Sequence, residues 1–280
     1  MLKKLVLVAF FLALAGGGYY YYTENSEMIQ SYVSEYLDYK SFPTLEIRYS
    51  AKAIMEDNQQ ELLKDNFHKY LSPSLHFYPY MLMEVKYSKK DNTTAEGVIL
   101  WDLECGEFIT STASWDKTHG FEDCLTANVD HNDFRVINAL ATHGGNLSRK
   151  ELINIIRVDP EVLDRWLESC RKKKVVVQYG NGYRLHLQKP KIAVRPETTL
   201  DHHLVTQTIK KAKQRPKRYS RRQVEKIATL AFGPDFTIRK GTEIYLPVYK
   251  IDVQNPDGSI LTTFWNALTG KQISNLHTIM

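Results

Sequence analysis

The residues WDLECGEFI, Trp101 to Ile109, and WNALTGKQI, Trp265 to Ile273, spell one pattern twice: W-[DN]-x-x-x-G-x-x-I. Each copy closes a segment that reads as a β-hairpin. Tyr80 to Tyr87 is apolar and β-prone, a polar stretch turns, and the chain returns from Val98. Glu243 to Val253 is followed by Asn255-Pro256-Asp257-Gly258, strong turn chemistry, and the chain returns from Ser259. In each pattern the tryptophan supplies a large apolar side chain for a small sheet. Gly106 and Gly270 supply positive φ where the strand stops or bends. Ile109 and Ile273 complete the two copies. Each hairpin also follows an Arg-Tyr-Ser tripeptide, at Arg48–Ser50 and Arg218–Ser220. Ser220 reads as the N-cap of a helix that buries Val224, Ile227, Ala228 and Ala231. The stripe after Ser50 is more ragged. These features predict a duplicated helix-plus-hairpin module.

The second copy resembles a PepSY-type domain, on Leu268, Thr269, Gly270 and Ile273, with Asn266 near that family's acidic position and Tyr249 in the first strand. The first copy keeps Asp102 and Gly106 but has Cys105 where the family has threonine. The resemblance implies a small non-catalytic module, common outside the cytoplasm and linked to proteases or envelope partners.

The N-terminus points to a compartment. Lys3 and Lys4 precede an apolar run from Leu5 to Ala15, and Tyr19 to Tyr22 follow. Leu5 to Tyr22 holds no charge and has the short end of bilayer-spanning length. The lysines at its root keep the N-terminus in the cytoplasm and send the body across. Ala13-Leu14-Ala15 keeps a cleaved signal peptide open as the alternative. Ile29, Tyr32, Val33, Tyr36 and Leu37 then form a helical stripe, a stalk ended by Pro43.

Between the modules the periodicity turns helical. Asp130 opens a segment with Phe134, Ile137 and Ala141 on one side, stopped by Gly144-Gly145. Ser148 and Glu151 form a capping box. Asp159 and Pro160 start a third helix carrying Val162, Leu163, Trp166, Leu167 and Cys170. A hairpin turns at Asn181-Gly182. Three helices and a ribbon resemble a winged-helix domain. In that family the third helix enters the major groove. Here its outer face carries Glu161, Asp164 and Glu168 beside Arg165 and Arg171, so nucleic acid is not the expected partner. If it were, Arg165, Arg171, Lys172 and Arg184 would make the contacts.

The densest charge run holds Lys210, Lys211, Lys213, Arg215, Lys217, Arg218, Arg221 and Arg222. It reads as a solvated linker, or as a contact for an anionic surface. The net charge of +5 is mild. Cys105, Cys124 and Cys170 show no C-x-x-C spacing; they read as buried thiols, with a Cys105–Cys124 bridge open in an oxidising compartment. No G-x-S-x-G, H-E-x-x-H, P-loop or dinucleotide fingerprint occurs. His202-His203 and the pair His119 and Cys124 lack ligand or nucleophile geometry, so no catalytic, cofactor or metal residue is expected.

The expectation is an α+β chain: a transmembrane helix at 1–22, a stalk at 23–45, small helix-plus-antiparallel-hairpin modules at 46–129 and 216–280, a winged-helix-like domain at 130–188 between them, and a basic linker at 189–215. It would be a single-pass inner-membrane protein that holds lipid through residues 5–22 and binds an envelope protein with its extracytoplasmic body. The alternative is a membrane-tethered, DNA-binding transcription regulator.

Overall fold

The computed structural model describes residues 41–89, 91–187, 189–210 and 212–273. In chain order the elements are β1 (Phe42–Leu45), α1 (Ala51–Asp57), α2 (Gln59–Leu62), β2 (Lys69–Tyr70), β3 (Ser74–Ser88), β4 (Thr94–Asp102), β5 (Phe108–Ser111), β6 (Asp116–Lys117), α3 (Phe121–Thr126), α4 (His131–Thr142), β7 (Asn146–Ser148), α5 (Arg149–Ile156), α6 (Pro160–Lys172), β8 (Val176–Tyr179), β9 (Gly182–Leu185), β10 (Thr206–Ile209), α7 (Arg221–Phe232), β11 (Thr237–Gln254) and β12 (Ile260–Asn266).

The two hairpins are not separate modules. Their long first strands, β3 and β11, pair antiparallel from Lys86↔Thr237 to Phe77↔Pro247. β4 flanks β3, β12 flanks β11, and β1 joins β11 in parallel at Thr44↔Tyr245. The result is one large mixed sheet, and the described residues are 27% helical and 35% strand. This corrects the expectation of an α+β chain in which two small modules flank a central domain. The reason lies in β3 itself, where FYPYMLM is nearly continuous apolar sequence. Such a strand buries both faces and needs partners on both sides. Met81, Met83 and Val85 enter one core; Tyr78 and Tyr80, on the opposite face, enter another.

The helices cross between the halves. α1 and α2 set Ile54 and Leu62 against Ile251, Val253 and Trp265 of the second hairpin. α7 sets Val224, Ile227 and Ala228 into the core that holds Met81, Ile99 and Trp101 of the first. Ser50 and Ser220 cap these helices, accepting from the N–H of Ala53 and Gln223.

Residues 131–185 form α4, β7, α5, α6 and the β8–β9 ribbon, with strand order β7-β9-β8. Asp130 and Ser148 each close a capping box, whereas Asp159 precedes α6 without a side-chain capping bond. Phe134, Val136 and Leu140 share one core with the sheet residues Trp101 and Phe108, so this domain packs on the sheet.

Residues 1–22 and the stripe Ile29–Leu37 lie outside the described residues. Among the described residues no helix is long and apolar enough to cross a membrane. The expectation of a single-pass inner-membrane protein thus has no support among the described residues. Phe42–Leu45, assigned to the helical stalk, is instead a strand paired with β10 and β11, with Pro43 opposite Thr208.

Candidate functional site

The repeated pattern builds the same turn twice. Asp102 Oδ1 accepts the N–H groups of Glu104 (2.8 Å) and Cys105 (3.0 Å), and the Gly106 N–H donates to Asp102 O (3.0 Å). Asn266 Oδ1 accepts from Leu268 (2.9 Å) and Thr269 (3.3 Å), and the Gly270 N–H donates to Asn266 O (2.8 Å). Gly106 and Gly270 have φ of 74° and 73°. Trp101 Nε1 donates to Gly106 O at 2.9 Å, and Trp265 Nε1 to Thr263 Oγ1 at 2.9 Å. Ile109 pairs with Leu100, and the Ile273 N–H donates to Phe264 O. Each turn is closed by the Arg-Tyr-Ser of the opposite half. The Arg218 and Tyr219 N–H groups donate to Leu103 O, and those of Arg48 and Tyr49 donate to Ala267 O.

The two turns differ in charge. Lys117, reaching in from β6, donates to Asp102 Oδ2 at 2.7 Å and to Cys105 Sγ at 3.3 Å. The Lys117 and Asp102 side chains are 9% and 2% exposed, so this is a buried ion pair. At Asn266 the second turn has a neutral amide, whose Nδ2 is buried with no partner among the described residues. Burial alone would raise the Asp102 pKa, but the Lys117 ammonium and its hydrogen bond outweigh that and hold it below the usual value. Burial would lower Lys117, and the Asp102 carboxylate more than reverses it. Burial, then the Asp102 charge, push the Cys105 thiol well up. The pair thus stays ionised while the thiol stays protonated. That arrangement can lock the turn to β6, but it offers no thiolate and no free base.

Neighbouring charges are internally matched as well. Arg215 Nη2 donates to Glu104 Oε1 at 2.6 Å, with its guanidinium over the Tyr78 ring. The Tyr78 hydroxyl is pushed up to about 12, by burial first and then by the Glu104 charge. Lys217 pairs with Glu243 at 2.9 Å, Arg221 with Glu225 at 2.7 Å, and Arg218 with Glu122. Of the basic run, Lys210, Lys213, Arg218 and Arg222 are exposed, and Lys211 lies outside the described residues. Arg215 and Arg218 tie the second half to the first, and four cations of the run are matched by carboxylates of the chain itself.

Cys105, Cys124 and Cys170 are free thiols in the structure, with Cys124 and Cys170 buried. Burial raises the Cys124 pKa, and the His119 ring lies instead against Lys189 O at 3.4 Å. His202 faces Asp201 at 3.8 Å. Among the described residues no group of His, Cys, Asp and Glu is arranged to hold a metal ion.

On α6 the exposed residues include Glu161, Asp164 and Glu168 beside Arg165, Arg171 and Lys172, three acids against three bases. Arg149 holds Asp164 through two 2.7 Å bonds, and Lys172 pairs with Glu168 at 2.7 Å. Arg184 stacks over Tyr179, which is 60% exposed at the ribbon's tip. Sequence reasoning singled out neither Lys117 nor Arg149. Lys117 lies fifteen residues from its partner, outside any local spacing rule. Arg149, the first residue of α5, becomes readable only once α5 and α6 are placed.

No known protein family, no curated protein and no solved structure matches this chain.

Proposed function

We propose that this chain is a non-catalytic binding protein, whose winged-helix-like domain contacts another protein. The observation that carries this is the outer face of α6, where three acids offset three bases and two of the acids are tied into ion pairs. A groove-reading helix gains its affinity from cations that displace counterions from phosphate, and this face offers no net surplus. The proton-holding thiols of Cys105 and Cys124 and the ionised Asp102–Lys117 lock support the non-catalytic part. Tyr179 on the ribbon supplies an exposed aromatic of the sort enriched in protein contacts.

The test places a photo-crosslinking residue at Arg165 or Tyr179 and, separately, measures duplex binding against salt. A discrete protein adduct with no salt-dependent duplex binding is the expected result. Tight duplex binding that collapses with salt overturns the reading in favour of a DNA-binding regulator using Arg165, Arg171, Lys172 and Arg184.

A further inference from the structure

One face of the sheet gathers cations around a histidine. Phe77 pairs with Pro247 of β11 on one side and bridges Gln214 on the other. There the Phe77 N–H donates to Lys213 O at 3.2 Å, and the Arg215 N–H donates to Phe77 O at 2.8 Å. Side chains alternate along a strand, and paired residues share a face. Phe77 packs against Phe42, so His76 and Tyr78 take the opposite face. Lys213 and Arg215, on either side of Gln214, take it with them, and the Arg215 guanidinium lies over the Tyr78 ring. On β11, Val248 shares a core with Tyr78, and Lys250 and Asp252 have the same parity as Val248. Asp252 takes Lys250 at 2.7 Å, and Glu104 takes Arg215 at 2.6 Å. Among the described residues, Lys213, Arg215 and Lys250 thus outnumber the two carboxylates that face them. The His76 ring sits among these cations, its Nε2 2.9 Å from Ser74 Oγ. Burial first, and then the charges of Lys213, Arg215 and Lys250, hold the His76 pKa below its usual value against the opposing pull of Asp252. The ring is therefore neutral at neutral pH.

We propose that His76, Lys213, Arg215 and Lys250 bind a doubly charged oxyanion of the phosphate type, either free or carried on a lipid headgroup. The arginine supplies a planar fork of donors and the lysines supply point charges, the two devices by which proteins hold such groups. The histidine makes the binding pH-linked. A bound dianion reverses the repulsion that keeps the ring neutral, so binding takes up a proton at His76 and strengthens as pH falls. The site lies on the sheet rather than on α6, and it is independent of what α6 contacts.

The experiment follows the His76 ring protons of the full chain by NMR across pH, in sodium sulfate and in sodium chloride of equal ionic strength. The chloride arm is needed because screening alone favours the charged ring among cations. Sulfate serves as the probe because its own charge is constant over this range. The expected result is a His76 midpoint higher in sulfate than in chloride, and a sulfate affinity that rises at least about fivefold from about pH 8 to about pH 5. Lys213→Met changes an exposed side chain; it should raise the midpoint in chloride and shrink the difference between the two salts. His76→Gln should still bind sulfate but lose most of the pH dependence. Co-sedimentation with phosphatidylcholine vesicles, with and without phosphatidic acid, separates the sources. A sulfate effect without vesicle binding identifies a free anion. Vesicle binding that requires both phosphatidic acid and Lys213 identifies a headgroup. Identical midpoints in the two salts, with no Lys213-dependent vesicle binding, overturn the proposal, as they would if a carboxylate of the chain itself filled the cluster. A salt difference that Lys213→Met leaves unchanged overturns it too.

Discussion

The ring of Tyr219 closes over Gly106, so tightly that a Cβ on that glycine would lie 2.8 Å from the ring and 2.9 Å from Leu125. Tyr49 stands over Gly270 in the same way, at 3.0 Å, but is 40% exposed where Tyr219 is 4% exposed. Both glycines sit at positive φ, where alanine costs about 1–2 kcal/mol before any contact is counted. Gly106→Ala adds overpacking of about 1–3 kcal/mol against a buried ring. Gly270→Ala adds less, because Tyr49 can swing toward solvent. Denaturant unfolding of the two variants should show Gly106→Ala as the more damaging; equal losses would mean that the buried ring yields as easily as the exposed one.

Asp102→Asn leaves the Lys117 ammonium buried without its counter-ion, and breaking a buried pair this way costs about 3–5 kcal/mol. The second half shows that asparagine itself fits the turn, since Asn266 makes the same two backbone bonds. Asp102→Asn combined with Lys117→Met should therefore recover most of the loss, to within about 1–2 kcal/mol of the parent chain. Urea midpoints of the four proteins in the cycle check this; a double variant no better than Asp102→Asn alone would show that the charge is not what the turn loses.

The same pair sets two limbs of the stability–pH curve. Asp102 is depressed in the folded state, so its contribution is present above the ordinary aspartate value of about 3.9 and is lost as pH falls through the lower folded value. Lys117 is raised, so its contribution is present below about 10.4 and is lost as pH rises through the higher folded value. Glu107, raised chiefly by burial, acts with the opposite sign to Asp102: its contribution is greatest below about 4.3 and declines as pH rises through the folded value. The Asp102→Asn/Lys117→Met variant should flatten both outer limbs, and Glu107→Gln should alter only the window above about 4.3. Unfolding free energies measured across pH read each limb separately.

What the sequence discloses is local, and what it hides is long-range. Ser148 and Ser220 are readable as caps because a cap and its helix lie within four residues. Trp101, Gly106, Trp265 and Gly270 are readable as a turn pattern for the same reason. That β3 pairs with β11 is not readable, because Phe77 and Pro247 meet across the whole intervening chain. Nor is the exchange by which Tyr219 closes the first turn and Tyr49 the second: sequence order associates each tripeptide with the hairpin that follows it, and packing does the reverse. The basic run shows the same limit. Arg215, Lys217 and Arg218 look like surface charge until Glu104, Glu243 and Glu122 are placed beside them.

The charge balance of α6 has its own consequence. Replacing Asp164 and Glu168 with asparagine and glutamine frees Arg149 and Lys172 and turns the face positive. Duplex affinity should then rise and acquire a negative slope against the logarithm of salt, where the parent chain shows little of either. Strong, salt-dependent binding by the parent chain, unchanged in the variant, would contradict the protein-binding reading.

The central claim is that both hairpins belong to one sheet, each closed by the other half. Native-state amide exchange on Gly270→Ala tests it most directly, reading Leu100 in the first hairpin against Ile251 in the second. The account predicts that a substitution confined to the second turn lowers the protection of both amides by the same free energy. Protection lost at Ile251 and retained in full at Leu100 would show two independently opening units, and would contradict it.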